Sequence, residues 1–289
     1  MAAIATADTF VDSRDELRRA IEPGELPPEP APGVHTFYRE VIQALLDAKI
    51  PFLIGGGYAM RQLTGIVRSS PDLDVFVLPG DTAAIERALS AAGYAVEVTF
   101  KHWLLKVRRG ERYIDLIYNS GNGATPVDAA WFEHSVAGTM FDLPVRLCPP
   151  EEMIWSKAFV VERERCDVAD VAHLIRAVGA QLDWQRLIER FDANWRVLFA
   201  HVVLFGFVYP GEADLVPAWI IEEMSGRLLR EHARPQGRHE RLCRGTLLSR
   251  EQYLVAIRDW GYRDARLQPD GGMRPSDVDR WTAAIPKRG

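Results

Sequence analysis

Three consecutive glycines at positions 55–57 restrict the local fold more than any other part of the chain. They follow a short apolar run, residues 50–54, and precede a segment of helical periodicity, residues 57–63, so the sequence predicts a strand, a tight turn and a helix. Backbone N–H groups and the positive end of the helix at such a turn can hold phosphate oxygens, and glycine permits their close approach because it has no Cβ. The spacing matches neither common phosphate-binding glycine motif, so the turn alone also fits a permissive loop without a ligand.

Two aspartates interrupt the next predicted strand, residues 73–78. Because successive side chains of a strand point to opposite faces, Asp72 and Asp74 are expected to share one face and the apolar residues around them the other. Two carboxylates about 6–7 Å apart on one strand repel each other, and burying them without a counter-charge would cost several kcal/mol. A divalent cation would offset this repulsion, although an isolated pair of acids near a strand end is also common without any function.

A third acid, Asp115, lies in the predicted strand RYIDLIY and could lie beside the pair if the two strands are neighbours. Three oxygen ligands without a nearby set of cysteines and histidines favour Mg²⁺ or Mn²⁺ over zinc. The sequence therefore predicts a divalent cation site at Asp72, Asp74 and Asp115.

The chain divides into regions with different periodicity. Up to residue 148 helices and strands alternate, with helices predicted at 35–48 and 82–92 and strands at 95–100, 103–107 and 113–118. After the pair Pro149-Pro150 the pattern is helical, with helices predicted at 151–162, 166–178, 184–191, 195–207 and 215–231. We expect an N-terminal segment with a proline-rich tether at 1–33, a sheet domain at 34–148, a helical domain at 149–232 and a C-terminal extension at 233–289, with one amphipathic helix at 250–260.

Composition indicates a globular protein, which we expect to lie in the cytoplasm without entering a membrane. No run of eighteen uncharged apolar residues is found in the sequence, and the first residues lack the basic and apolar pattern of a secretory leader. The three cysteines, Cys148, Cys166 and Cys243, are far apart, which argues against a disulfide framework and a disulfide-linked partner. A net charge of −5 gives no overall signature of nucleic-acid binding. The arginine-rich stretch 227–250 could contact RNA, or could be a solvated connector or pair with acids within the protein.

Together, the glycines and the acids resemble the nucleotidyltransferase superfamily with the DNA polymerase β-like fold. That superfamily has two glycines, a helix and then the pattern Arg-x-Ser/Thr-x-Asp-x-Asp, which is matched here by Gly56 and Gly57 and by residues 68–74, RSSPDLD. Ser70 keeps the hydroxyl of the threonine that is frequent at its position. The resemblance implies an α+β fold in which a mixed β-sheet flanked by helices, the catalytic domain, precedes a helical C-terminal domain.

The resemblance continues into the helical region, as far as about residue 191. The segment 155–170, WSKAFVVERERCDVAD, is similar to a block found in the abortive-infection toxin type of nucleotidyltransferase and its uncharacterised relatives. In that block Lys157 would reach the nucleotide phosphates. Asp167 and Asp170 share a helical face and could order Arg165 or Lys157, or could simply face solvent.

The resemblance implies a metal-dependent enzyme that transfers a nucleoside monophosphate from a nucleoside triphosphate, with ATP the leading candidate, to a hydroxyl of a small molecule, a tRNA or a protein. Asp72, Asp74 and Asp115 would be catalytic and would hold Mg²⁺ or Mn²⁺. The residues expected to bind the nucleotide are Gly56, Gly57, Arg61, Arg68, Ser70 and Lys157. The acidic net charge favours acceptors other than tRNA. The alternative is a non-catalytic nucleotide-binding protein, or a toxin–antitoxin-like partner, of the same fold.

Overall fold

The computed structural model describes residues 29–67, 70–233, 241–269 and 271–285. A mixed β-sheet forms its centre, with strands β1 (Leu53–Ile54), β2 (Asp74–Phe76), β3 (Ala95–Phe100), β4 (Leu104–Arg109), β5 (Arg112–Ile117), β6 (Val136–Met140) and β7 (Leu143–Leu147). The strand order is β3-β4-β5-β2-β1-β7-β6. β2 runs parallel to β5 and antiparallel to β1, while β4 and β5 are antiparallel. The α+β fold with a mixed sheet is therefore confirmed.

Helices α1 (Val34–Asp47), α2 (Gly56–Thr64), α3 (Thr82–Ala91) and α4 (Ala129–Glu133) accompany the sheet. The buried residues of α1 recur at spacings of three and four, which gives the helix one apolar face, and α1 contacts both α3 and β5. Along β2 and its flanks, Leu73, Val75 and Val77 are completely buried. Their alternation with the two aspartates is the pattern that the sequence predicts for this strand.

Two elements in this region are absent from the sequence predictions: α4 and the hairpin of β6 and β7. Phe141 and Asp142 form the turn of the hairpin with φ angles of 51° and 61°. Both residues are thus in a left-handed conformation that most residues avoid. The Phe141 ring packs beside His35, with 5.2 Å between ring centroids, and contacts Tyr38 and Tyr58.

Five helices follow the sheet: α5 (Pro150–Ala158), α6 (Val168–Val178), α7 (Trp184–Phe191), α8 (Trp195–Val208) and α9 (Ala218–Ala233). Pro150 begins α5, where its missing N–H breaks no helical hydrogen bond. The helix predicted at 151–162 ends earlier, at Ala158, and Val161 then forms an isolated β-bridge with Cys166. The helical second region is present as predicted.

One described segment, Trp184–Val208, is long and apolar enough to cross a bilayer by length and composition alone. It comprises α7, a 3₁₀ turn and α8. Its buried residues, among them Leu187, Trp195 and Phe205, belong to the hydrophobic core. Only 33% of its most apolar window is buried, and Val203, Leu204 and Phe207 on α8 are exposed.

The C-terminal extension contains a short parallel pair of strands, β8 (Leu242–Cys243) and β9 (Arg263–Asp264), and helices α10 (Leu254–Arg258) and α11 (Pro275–Ala283). The helix predicted at 250–260 is wrong at both ends, since only Leu254–Arg258 is α-helical. Arg250 instead reaches across to Glu162 at 2.8 Å and Glu164 at 3.0 Å. These ion pairs hold the extension against the helical region.

Candidate active site

The three predicted metal-binding carboxylates lie together. Asp72, Asp74 and Asp115 offer carboxylate oxygens that are all within 4.8 Å of one another. The strand register explains this convergence, because Asp74 and Asp115 are paired neighbours on the parallel strands β2 and β5. Asp72 lies two residues before Asp74 and therefore points to the same side.

The electrostatics of this acid cluster are unfavourable without a cation. Burial raises the pKa of Asp74 to about 7, and the negative charges of Asp72 and Asp115 add to the rise. Burial also raises the pKa of Asp115, although an ion pair with Lys106 opposes the effect. Three oxygen donors within reach of one ion, with more negative charge than their neighbours neutralise, fit Mg²⁺ or Mn²⁺ by ligand type and by charge.

Lys106 is a site residue that the sequence reasoning missed. Its Nζ lies 2.5 Å from Asp115 Oδ1 and 3.9 Å from the centre of the Tyr113 ring. Lys106 and Asp115 are directly opposite each other in the antiparallel pair of β4 and β5. The signal was present in the sequence, since a tight turn at Gly110 between two runs of strand character would set this register.

The glycine turn packs directly against the acids. Gly56 has a φ of +53°, and a Cβ atom built there would lie 1.8 Å from Oδ2 of Asp74. A Cβ atom on Gly57 would lie 2.7 Å from the Ser70 hydroxyl oxygen. Glycine at both positions thus lets the start of α2 approach the acid cluster at a distance that any other residue would prevent.

Two cations from the helical region complete the site. Lys157, with a side chain only 10% exposed, donates to Asp167 at 3.0 Å and to Asp170 at 2.7 Å. Arg165 donates two hydrogen bonds to Asp167, at 3.0 Å and 2.9 Å. Asp167 and Asp170 therefore do not simply face solvent: both hold Lys157, and Asp167 also holds Arg165.

Arg165 was not among the predicted site residues. Its side chain is 65% exposed and is therefore more accessible to a ligand than that of Lys157. Asp167 raises the pKa of the Arg165 guanidinium, and the charges of Asp74 and Asp72 add to the effect. The guanidinium therefore lies within electrostatic reach of the acid cluster. The signal in the sequence was its place as the arginine of the resembled block, two residues before Asp167.

A cavity of about 640 Å³ brings most of the predicted residues together. Its lining includes Gly56, Gly57, Ser70, Asp72, Asp74, Asp115 and Lys157, together with Arg165. Arg61 does not line this cavity and is buried in α2, with 7% exposure. Arg68 lies outside the described residues.

Comparison with protein families identifies the class of protein. A family described as an uncharacterised nucleotidyltransferase matches residues 34–202, which is more than half of the 289-residue chain. The chain belongs to this family. It is an enzyme of the nucleotidyltransferase class, as the resemblance implied, while the resemblance to the abortive-infection toxin type in particular stays a prediction.

Three solved structures are similar to parts of this chain at low sequence identity. The antibiotic-resistance factor ANT(2'')-Ia is 19% identical, with a TM-score of 0.39, over 58% of this chain and 95% of its own. The lincosamide antibiotic adenylyltransferase LnuA, in its lincomycin-bound form, is 17% identical, with a TM-score of 0.36, over 52% and 98%. Terminal uridylyl transferase 4 from Trypanosoma brucei, with bound GTP, is 16% identical, with a TM-score of 0.25, over 61% and 57%. No curated protein matches the chain.

Proposed function

We propose that the protein transfers a nucleoside monophosphate from a nucleoside triphosphate, with ATP the first candidate, to an acceptor hydroxyl with the help of Mg²⁺ or Mn²⁺. The observation that carries this proposal is the cluster of Asp72, Asp74 and Asp115 within 4.8 Å. The cluster opens into the same cavity as the glycine turn and two cationic side chains. A cavity of this size suits a nucleotide-sized ligand.

The proposed reaction is an in-line displacement at the α-phosphorus, with pyrophosphate as the leaving group. Asp72 and Asp74 would hold the metal, and Asp115 would complete the site. When bound, two such ions stabilise the charge on the attacking and leaving oxygens. Asp115 would also accept the proton of the acceptor hydroxyl, a role supported by its raised pKa, which brings its basicity closer to that of a useful general base.

The triphosphate would lie between the glycine turn and the helical region. Backbone N–H groups of Gly56 and Gly57 would donate to phosphate oxygens, assisted by the Ser70 hydroxyl. Lys157 and Arg165 would offset the negative charge, each held in place by Asp167. Phosphate binding by Arg61 and Arg68 stays a prediction.

The test is metal-dependent nucleotide binding and turnover. We expect calorimetry to show ATP binding with Mg²⁺ or Mn²⁺ and little binding in EDTA, and we expect Asp74→Ala to abolish pyrophosphate release while the protein stays folded. Asp214→Ala, at an exposed acid outside the cavity, is the matched control. Unchanged metal-dependent ATP affinity in Asp74→Ala would refute the assignment. A non-catalytic nucleotide-binding protein would bind ATP but release no pyrophosphate with any acceptor.

A further inference from the structure

The order of the strands indicates the side from which an acceptor would approach. The glycine turn follows β1, Asp115 lies on β5, and β2 lies between these two strands. In an in-line displacement the attacking and leaving oxygens are on opposite sides of the phosphorus. If the glycine turn holds the β- and γ-phosphates, pyrophosphate leaves on the β1 side. The acceptor hydroxyl must then come from the β5 side.

On the β5 side, the C-terminal extension forms part of the cavity wall. The cavity continues past Asp115 to Trp103, Asn119 and Thr125, and the extension contributes Thr246, Ser249 and Trp281. The extension lies beyond residue 202, where the family match ends. This wall therefore lies outside the matched family region.

Close packing fixes the extension in this position. A Cβ atom on Gly121 would lie 2.4 Å from the Trp281 ring, so the indole lies directly against the backbone there. The Trp281 ring also meets Phe100 and Trp103, with ring centroids 5.1 Å and 5.2 Å apart. Asn122 donates a hydrogen bond from its side chain to the carbonyl of Leu247 in the extension.

Two polar groups in this part of the cavity wall are buried without a partner. Thr125 is 1% exposed, and its hydroxyl has no hydrogen-bond partner among the described residues; the same is true of the indole Nε1 of Trp103. The two residues are close in the fold, because Tyr118 N donates to the carbonyl of Trp103 and Val127 N donates to the carbonyl of Tyr118. Buried polar groups in native proteins are nearly always satisfied, so a ligand or water is expected to pair with them.

The two charged residues that line this end of the cavity, Arg250 and Glu162, form an ion pair with each other, and the second partner of Arg250, Glu164, does not line the cavity. The Arg250 guanidinium lies 4.4 Å from the centre of the Trp281 ring. What remains available to a ligand is a set of neutral donors and acceptors beside aromatic rings. A charged group placed here would lose its hydration without gaining a free counter-charge.

We infer that Trp103, Thr125 and the extension residues beside them form the acceptor site, and that the acceptor is a small, uncharged, polyhydroxylated molecule such as a neutral sugar or cyclitol. The inference rests on the proposed function. One acceptor hydroxyl would attack the α-phosphorus as the bond to the bridging oxygen breaks, with its proton passing to Asp115 and pyrophosphate leaving. Other hydroxyls would pair with Thr125 and Trp103. A small molecule fits because the nucleotide and the acceptor share about 640 Å³.

The experiment measures ATP binding and acceptor use separately. Calorimetry gives the affinity for Mg²⁺ and ATP, and pyrophosphate release is followed with neutral sugars and cyclitols, with amino sugars and sugar phosphates as charged counterparts, and with mixed tRNA. The variants are Thr125→Val, which keeps the shape and removes the hydroxyl, and Trp103→Phe, which removes the indole N–H. Trp260→Phe is the control, because this tryptophan of the extension is 60% exposed and does not line the cavity.

We expect a neutral compound to support release, with a KM raised about tenfold by Thr125→Val, as for loss of one hydrogen bond. ATP affinity should stay within about twofold in both cavity variants, since their changes touch no predicted nucleotide-binding residue. Activity with only charged compounds or tRNA would overturn the acceptor class, as would inactivity of the whole panel while metal-dependent ATP binding persists. An unchanged KM in both variants, or weakened ATP binding instead, would overturn the site. Absence of metal-dependent ATP binding in the unmodified protein would count against the proposed function itself.

Discussion

Replacement of Asp74 by asparagine should stabilise the metal-free protein while destroying its site. Asp74 lies within 4.8 Å of two other carboxylates, and its pKa rises from 3.8 to about 7 in the folded protein. The folded protein therefore holds this proton more tightly than the unfolded chain does. It follows that ionised Asp74 destabilises the fold at high pH, and that the penalty shrinks as the pH falls from 7 towards 4.

The size of the effect can be estimated from that pKa. A rise from 3.8 to about 7 corresponds to roughly 4 kcal/mol in the ionised folded protein, at about 1.4 kcal/mol per pKa unit. Asp74 keeps partial contact with solvent in the cavity, so we expect about half of this, roughly 2 kcal/mol, after screening. Asparagine keeps the shape of the side chain and removes the charge. Asp74→Asn should thus be more stable than the unmodified protein by about 2 kcal/mol at pH 8 in EDTA.

The assay is denaturant unfolding in EDTA at several pH values between 5 and 8. The advantage of Asp74→Asn should be largest at pH 8 and should narrow towards pH 5, whereas Asp214→Asn at an exposed acid should show no such trend. Saturating Mg²⁺ and ATP should reverse the order, because a ligand at about 100 times its Kd adds roughly 2.7 kcal/mol to the protein that binds it. An Asp74→Asn protein less stable than the unmodified one at pH 8 in EDTA would refute the electrostatic reasoning.

Three further predictions concern residues around the acid cluster. Gly56→Ala should abolish metal-dependent ATP binding in calorimetry, because its Cβ would collide with Asp74; Gly80→Ala, where a Cβ would meet nothing within 4 Å, should leave binding unchanged. Lys157→Met should lower the free energy of unfolding by about 3 kcal/mol, since it leaves two buried carboxylates without their shared cation, and a loss below about 1 kcal/mol would contradict a buried ion network. Lys106→Met should move the acidic limb of the kcat/KM profile to higher pH, because Lys106 lowers the pKa of Asp115; an unmoved limb would show that Asp115 does not control it.

The acid cluster could be predicted from the sequence because strand periodicity alone fixes the common face of Asp72 and Asp74. The position of Asp115 depended on which strands are neighbours. That follows from the parallel pairing of β2 with β5, which joins residues about forty positions apart and has no local signal. The family pattern supplied Asp115 as the third carboxylate without naming its partner strand, and the register confirms the proximity of the three acids.

The hairpin of β6 and β7 could not be predicted from the sequence for a different reason. Two-residue turns with positive φ at both positions usually contain asparagine, aspartate or glycine, and the first residue of this turn, Phe141, is none of these. The Phe141 side chain is 7% exposed and packs among aromatic rings from α1 and α2. Burial of the ring outweighs the local preference of the backbone, and this tertiary contact cannot be read from a short window of sequence.

The contribution of the extension to the cavity was also beyond sequence reasoning. The rest of the sheet domain, the whole helical region and most of the extension separate Trp281 from Trp103 in the sequence, and nothing in its local sequence indicates the contact. The same holds for Arg250, whose ion pairs with Glu162 and Glu164 replace the helix expected there. Contacts between distant parts of the chain therefore account for most of the differences between prediction and structure.

The absence of a side chain at Gly56 makes the three aspartates an incomplete criterion for activity among related chains. A relative that retains every acid but carries even a methyl group at the equivalent position would have to turn the central carboxylate away from its neighbours. Such a chain would keep the fold and lose the chemistry. An inventory of carboxylates in an alignment would count it as an enzyme, and only inspection of that one glycine would reveal the difference.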